Sequence, residues 1–198
     1  MKRAIFTFYN LSLDTDIVRL QAEVVKKFNT TADFHPLCSQ THGEEVIHPD
    51  AVDYGFNQLF VEEKYDTVLL LDVDCIPLNS YALQYTFEQA EKGKLIGNVQ
   101  RGMHLDNDEH NYVAPSAFCL TRQMYEDFGR LSVKPDHRKA DCCGYYTYAA
   151  KDTPPEKGYE TDLKTGLGLR RYIYGQKGKG GKKRELTKVM KQLVPVGS

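Results

Sequence analysis

The distribution of apolar residues predicts three strands in the first part of the chain. Residues 3–9 form an apolar, aromatic run that ends at the turn-forming Asn10. Residues 34–38 form a shorter run, in which Pro36 weakens the strand prediction. Residues 68–71 are entirely aliphatic, which is typical of a strand that is covered on both faces of its sheet.

Two helices are predicted between these strands, because apolar residues there recur every three or four positions. In the first helix the core positions are Ile17, Leu20, Val24 and Phe28. In the second helix they are Val52, Phe56, Leu59 and Phe60. The order strand, helix, strand, helix, strand predicts an α/β fold with a mostly parallel sheet flanked by helices.

The pattern beyond the third strand predicts further strands and shorter helices. Ser80 is the predicted N-cap of a helix that ends at Gly93, and Thr121 caps one that ends at Gly129. The predicted strands cover residues 95–99 and 114–120. Residues 101–112 are polar and are interpreted as a surface loop.

A chain of 198 residues fits one domain, here residues 1–174, followed by a basic tail at residues 175–198. The tail is rich in glycine and lysine, and its last apolar residues predict a short amphipathic helix. Three roles stay open for it: a solvated end, a loop that closes over a bound diphosphate, and a contact with an anionic surface such as a membrane.

The composition is that of an ordinary globular protein, with 41% hydrophobic and 27% charged residues. A net charge of −1 gives no overall bias toward nucleic acid, which we do not expect as a partner. The five cysteines lack metal-site spacing and are interpreted as reduced thiols. We therefore expect a cytoplasmic protein, with a peripheral position at the membrane through its basic tail as the alternative.

Two carboxylates, Asp72 and Asp74, directly follow the aliphatic strand. Ligands of open α/β sheets bind beyond the carboxyl ends of the strands, and two such acids can both reach a divalent cation. The same spacing also occurs in the pairs Asp14/Asp16 and Asp106/Asp108. The first of those pairs is interpreted as helix capping and the second as part of a polar loop. Asp72 and Asp74 therefore predict a site for Mn²⁺ or Mg²⁺, with a structural strand-end cap as the alternative.

With these acids in place, residues 3–150 resemble a small glycosyltransferase of the glycosyltransferase-A fold, in its family-two-like, inverting branch. The segment Asp72-Val73-Asp74 resembles the metal-binding acidic motif of that family, which also follows an apolar strand. Thr7-Phe8-Tyr9-Asn10 resembles the family's Pro-x-Tyr-Asn segment without its proline. The resemblance implies a single-domain nucleotide-diphospho-sugar transferase fold.

Three weaker matches follow in the family's order along the chain. Asn57 matches the asparagine of an Arg-Asn pair in which Phe56 replaces the arginine. Residues 114–129 resemble the acceptor-side segment. Asp141 falls where the family places its catalytic base, although the usual Glu-Asp pair is Ala140-Asp141 here.

The resemblance implies transfer of a sugar from a nucleoside-diphosphate sugar to an acceptor hydroxyl, with inversion of configuration. The residues implied in nucleotide binding are Thr7, Tyr9, Asn10, Asn57 and Asp72. Asp72 and Asp74 would hold the metal, which neutralises the charge of the leaving diphosphate. Asp141 would accept the proton of the acceptor hydroxyl. The acceptor is open: a glycan, a lipid-linked molecule or a protein.

Three alternatives stay open. A phosphohydrolase of the haloacid-dehalogenase type also places Asp-x-Asp after an apolar strand. In those enzymes the strand is usually the first one, and the residues after the motif differ from Cys75 and Ile76. A nucleotidyltransferase would need a glycine-rich phosphate loop and a lysine that the start of the chain lacks. The third is a non-catalytic domain that binds a sugar nucleotide or a glycan.

Overall fold

A computed structural model gives the fold of most of the chain. It describes residues 1–9, 15–28, 31–38, 40–41, 44–45, 48–102, 110–136, 140, 142–152, 160–162, 169–171 and 188–193. Among the predicted site residues, Asn10 and Asp141 lie outside these ranges, as does most of the basic tail.

Ten strands are described, and six of them form the central sheet. In chain order the strands are β1 (Arg3–Tyr9), β2 (Ala32–Cys38), β3 (Gln40–Thr41), β4 (Glu44–Glu45), β5 (Thr67–Leu71), β6 (Cys75–Pro77), β7 (Lys94–Gly102), β8 (His110–Thr121), β9 (Glu160–Asp162) and β10 (Leu169–Arg171). The sheet has the order β2-β1-β5-β8-β7-β9. Since β8 pairs antiparallel with both of its neighbours while the other pairs are parallel, five strands share one direction. This confirms the mostly parallel sheet.

Helices cover both faces of this sheet. They are α1 (Thr15–Phe28), α2 (His48–Phe56), a π-helical continuation of α2 (Asn57–Glu62), α3 (Ser80–Glu91), α4 (Arg122–Asp127), α5 (Gly144–Asp152) and α6 (188–193). The aliphatic strand explains the layering: Val68 and Leu70 pack toward α2, α4 and α5, whereas Leu69 and Leu71 pack toward α1 and α3. Burial on both faces accounts for the absence of polar alternation in β5.

Several local predictions are confirmed, and two need correction. Thr121 caps α4 by accepting a hydrogen bond from the Met124 amide at 3.2 Å, as expected. The cap of α3 is Asn79, whose side chain accepts from the Ala82 amide at 2.9 Å, so Ser80 is the first helical residue instead. The loop predicted at 101–112 is wrong at both ends, because β7 extends to Gly102 and β8 begins at His110; residues 103–109 lie outside the described ranges.

The helix α6 packs against the same domain. Met190 is fully buried in a cluster with Ile17, Leu20, Val24 and Ile76. The side chain of Lys27 on α1 donates a hydrogen bond to the carbonyl of Leu193. The predicted division at residue 174 stays a prediction, since residues 172–187 lie outside the described ranges.

None of the described helices has the length and apolar composition needed to cross a membrane. All five cysteines carry free thiols; Cys38 and Cys142 are half-buried and the others are buried.

Candidate functional site

The two predicted metal ligands lie in a tight turn between β5 and β6. We call residues Asp72–Cys75 the acidic turn. Asp72 is 9% exposed and Asp74 is 5% exposed, so both carboxylates are largely enclosed by protein. Because β5 lies between β1 and β8, the turn sits at the middle of the carboxyl edge of the parallel strands. This is where ligands of open α/β sheets bind.

Backbone hydrogen bonds define the shape of the acidic turn. The Cys75 amide donates to the Asp72 carbonyl at 2.8 Å, which closes the turn. The Asp72 amide donates to the Ser116 carbonyl of β8 at 3.1 Å, which continues the pairing of β5 with β8. The turn is thereby fixed to the antiparallel strand beside it.

Helix α1 contacts the acidic turn through the side chain of Gln21. The side-chain amide of Gln21 donates to the Asp72 carbonyl at 2.8 Å and to the Cys75 carbonyl at 2.9 Å. Gln21 is fully buried. It occupies the apolar stripe of α1, one position after Leu20, and a polar residue on such a stripe is the sequence signal that could have identified it.

A second polar contact lies on the β7 and β8 side of the turn. The Asn98 side-chain amide is 3.3 Å from the Ser116 hydroxyl and 3.6 Å from the Cys75 sulfur. Asn98 and Ser116 were not among the predicted site residues, because they belong to strands whose antiparallel pairing brings them to this edge.

The residues present fit a hard divalent cation only in part. Two carboxylates supply oxygen donors, which Mn²⁺ and Mg²⁺ prefer, and both side chains are enclosed. In the part of the chain that the structure describes, no group of three or more His, Cys, Asp and Glu side chains is placed to hold a metal ion. A metal at this site would therefore depend on further oxygen ligands, such as the phosphates of a nucleotide, as Mg²⁺ commonly does.

The predicted nucleotide-binding residues lie in different surroundings. Thr7 is fully buried, and its hydroxyl has no hydrogen-bond partner among the described residues. Since Ile5 packs toward α1 and α3, strand alternation places Thr7 on that same face. Tyr9 is half-buried at the carboxyl end of β1, the edge that also carries the acidic turn. Asn57 is exposed at the start of the π-helical segment.

The position that departs from the family's Arg-Asn pair is part of the core. Phe56 is fully buried and contacts Phe6 edge-on, with ring centroids 5.2 Å apart, and stacks on Phe60 at 5.8 Å. An arginine there would bury a charge in an aromatic cluster, which is costly without a partner. The structure thus gives a packing reason for phenylalanine at this position.

The described neighbours of Asp141 pair with the segment around Val133 and Asp136. Ala140 exchanges two backbone hydrogen bonds with Asp136, and the Cys143 amide donates to the Val133 carbonyl at 3.1 Å. Burial raises the pKa of the Cys143 thiol, and a hydrogen bond with Cys142 and the nearby carboxylate of Asp72 raise it further.

Two arginines that are distant in sequence lie on the strand that pairs with β6, directly after the acidic turn. Strand β10 pairs antiparallel with β6, with Arg171 opposite Cys75 and Arg170 opposite Ile76. Their backbone positions lie directly beside the residues that follow Asp74. The sequence offered only their charge as a signal.

Arg122 lies at the opposite edge of the sheet. It forms an ion pair with Asp66 at 2.7 Å, just before β5 begins. A surface pocket of about 700 Å³ is lined there by residues that include Asp66, Glu91 and Arg122. This pocket is separated from the acidic turn by the length of β5, so it is not the predicted site.

Comparison of sequences gives no assignment: no protein-family profile matches the chain, and no curated protein matches it significantly. Solved structures do resemble it. The mannosyltransferase PcManGT from Pyrobaculum calidifontis, solved with GDP-mannose and Mn²⁺, has a TM-score of 0.57 at 10% identity. That alignment covers 87% of this chain and 57% of PcManGT, so the chain spans little more than half of its length.

Two further structures match over almost their whole length. One, from Desulfovibrio desulfuricans, is described as a nucleotide-diphospho-sugar transferase; it has 9% identity, covers 98% of this chain and 99% of its own, and has a TM-score of 0.51. The other is 4-diphosphocytidyl-2C-methyl-D-erythritol synthase from Anaerococcus prevotii, with 10% identity, coverage of 97% and 96%, and a TM-score of 0.54. The chain has the nucleotide-diphospho-sugar transferase fold. This glycosyltransferase-A architecture hosts both sugar transfer and the synthesis of a diphosphocytidyl compound among these neighbours, so the fold alone does not decide the reaction.

Proposed function

We propose that the chain is a metal-dependent glycosyltransferase that moves a sugar from a nucleoside-diphosphate sugar to an acceptor hydroxyl. One observation carries the proposal: in this fold, two enclosed carboxylates stand in a turn at the carboxyl end of the central strand. None of the three similar solved structures described above is a phosphohydrolase, which supports this proposal over the phosphohydrolase alternative. A non-catalytic sugar-nucleotide or glycan-binding domain is the outcome in which a ligand binds but no sugar is transferred.

The proposed roles follow from the chemistry of each side chain. Asp74 would contact the metal directly, and Asp72 would contact the ribose or a water bound to the metal. The metal would neutralise the charge that develops on the departing diphosphate. Tyr9 offers a ring face to the nucleotide base at the same sheet edge. Arg171, whose backbone pairs with Cys75, is a further candidate for a phosphate contact.

Inversion of configuration is the finer part of the proposal. It requires a base that takes the proton of the acceptor hydroxyl as the hydroxyl attacks the anomeric carbon. We propose Asp141 for this role, as the family resemblance implies. The acceptor, the location in the cell and any membrane contact stay predictions from the sequence.

Calorimetry tests the donor site. We expect one of UDP, GDP and CMP to bind wild-type protein in the presence of Mn²⁺, and Asp74→Asn to weaken that binding about tenfold or more, in the range usual for the loss of interactions at metal sites. Asp16→Asn is the matched control, because Asp16 belongs to another Asp-x-Asp pair and lies exposed at the start of α1. A folded wild-type protein that binds none of the three nucleotides would contradict the proposal.

Product analysis then distinguishes the reactions that share this fold. A glycosyltransferase releases a nucleoside diphosphate, and NMR of the first product gives its anomeric configuration. The synthase from Anaerococcus prevotii, at a TM-score of 0.54, makes nucleotidyl transfer the second candidate. Binding of a nucleoside triphosphate with release of pyrophosphate would favour that reaction instead.

A further inference from the structure

We propose that Gln21 is a positioning residue that fixes the acidic turn in the geometry needed for metal binding. The consequence for metal binding rests on the proposed function, because the inference concerns the same two carboxylates. Its structural basis is independent, since it concerns the backbone of the turn and not a bound ligand.

The side-chain amide of Gln21 joins the two ends of the acidic turn. Its nitrogen donates to the Asp72 carbonyl at 2.8 Å and to the Cys75 carbonyl at 2.9 Å, so both amide hydrogens are used. Gln21 is fully buried, and its side-chain oxygen has no hydrogen-bond partner among the described residues. The two carbonyls therefore determine how the amide group is oriented.

These two hydrogen bonds bracket Val73 and Asp74. Between them, the Val73 side chain packs against an apolar cluster that contains Ile17 and Leu20 of α1. One helix thus holds the turn through polar contacts at its ends and an apolar contact in its middle. Because the direction of a side chain follows from its backbone, this arrangement sets where the Asp74 carboxylate points.

Loss of the amide would loosen the turn without removing a metal ligand. The Asp72 carbonyl would keep its hydrogen bond from the Cys75 amide, so the turn would still close. The Cys75 carbonyl would lose the hydrogen bond that Gln21 donates in a buried environment, where the loss of a hydrogen bond is costly. The expected result is a folded protein whose acidic turn opens more often.

Gln21→Met tests this inference, because methionine has a similar length and no donor. With the nucleoside diphosphate that the wild type binds, we expect the Mn²⁺ affinity to fall about tenfold or more, as for other residues that orient metal ligands. Nucleotide binding without Mn²⁺ should change by less than about twofold. Amide hydrogen exchange should become faster at Cys75, whose amide closes the turn.

Thr86→Val is the matched control. Thr86 is fully buried on α3, and its hydroxyl donates to the Ala82 carbonyl of the same helix at 2.7 Å, so this hydrogen bond does not involve the acidic turn. It should lower stability without changing Mn²⁺ affinity or exchange at Cys75. If Gln21→Met does not fold, Gln21→Asn replaces it, since asparagine is one methylene too short to keep both hydrogen bonds.

The outcomes separate this inference from the proposed function. A folded Gln21 variant with wild-type Mn²⁺ affinity and unchanged exchange at Cys75 would overturn the inference. If the wild type binds neither Mn²⁺ nor any nucleotide, the proposed function fails. In that case faster exchange at Cys75 would still support the positioning role, and unchanged exchange would overturn it.

Discussion

At the scale of single residues, burial separates the two acids of the acidic turn from an acid that has the same sequence spacing. Asp72 and Asp74 are both nearly enclosed, whereas Asp16, in another pair with the same spacing, has a side chain that is 75% exposed. The difference in burial therefore supports a ligand role for the pair after β5, whereas Asp16 is an exposed residue in the first turn of α1.

Tyr146 gives a test of residue-scale electrostatics away from the site. Burial raises the pKa of its hydroxyl, which donates to the Leu131 carbonyl. In the unfolded chain this tyrosine loses its proton at about pH 10, whereas in the folded protein it does so only at higher pH. The contribution of the protonated Tyr146 to the free energy of unfolding is therefore complete below that pH and is lost as the pH rises further. The folded state therefore becomes less stable in alkali.

We expect Tyr146→Phe to cost about 1 kcal/mol at neutral pH, because one hydrogen bond is lost. Above about pH 10 the difference from wild type should shrink, since phenylalanine has no proton to lose. Urea unfolding at about pH 8 and about pH 10.5 measures both effects. Tyr54→Phe is the control, because Tyr54 is 62% exposed. An equal loss at both pH values would contradict the expectation.

At the scale of elements, the pairing of β7 with β8 depends on a close approach at Gly97. The register of the two strands shifts between Gly97 and Val99. A Cβ atom at Gly97 would lie 1.9 Å from the Ala117 carbonyl oxygen and 2.8 Å from a methyl group of Val113. Ala117 is next to Ser116, whose carbonyl accepts the Asp72 amide. A displacement of β8 would therefore reach the acidic turn.

We expect Gly97→Ala to destabilise the protein by about 2 kcal/mol or more, since backbone atoms of β8 cannot yield as a flexible side chain can. It should also weaken nucleotide binding in the presence of Mn²⁺. Gly129→Ala is the matched control: Gly129 has φ +73° but no atom within 4 Å of the added Cβ, so only backbone strain of about 1 kcal/mol is expected. The urea midpoints of unfolding compare the stabilities of the two variants. Equal losses of stability would show that backbone strain alone matters and that the contact with β8 does not.

At the scale of the whole molecule, the end of the chain contributes to the core that supports the site. Met190 of α6 and Val73 of the acidic turn belong to the same apolar contact region with α1. Residues separated by more than a hundred positions thus pack together beneath the candidate metal ligands. Deletion of the tail would remove this packing together with the basic residues.

We expect Met190→Ala to lower the free energy of unfolding by about 2 kcal/mol or more, because a fully buried side chain is truncated. Thermal and urea unfolding measure the loss. Lys191→Ala is the control, since Lys191 is exposed on the same helix. A loss no larger than that of the control would show that α6 does not pack as described.

Much of the architecture was predictable because it depends on local pattern. The aliphatic run of β5, the apolar stripes of α1 and α2, and the two acids after β5 are all contiguous or periodic in sequence. The caps were predictable within one residue, as Asn79 and Ser80 show, because adjacent polar side chains can both serve as caps. These features follow from the covalent geometry of helices and strands.

The sequence by itself determined the succession of β1, α1, β2, α2 and β5 and the two acidic ligand candidates, because burial of a strand and periodicity of a helix depend on neighbouring residues. Only the tertiary structure decided that β8 lies between β5 and β7, that β10 pairs with β6, and that Gln21 bonds to the acidic turn. These contacts join segments 50 or more residues apart in most cases, as Gln21 and Asp72 are separated by 51 positions. Their partners are selected by packing of the complete sheet, and no local pattern specifies that choice.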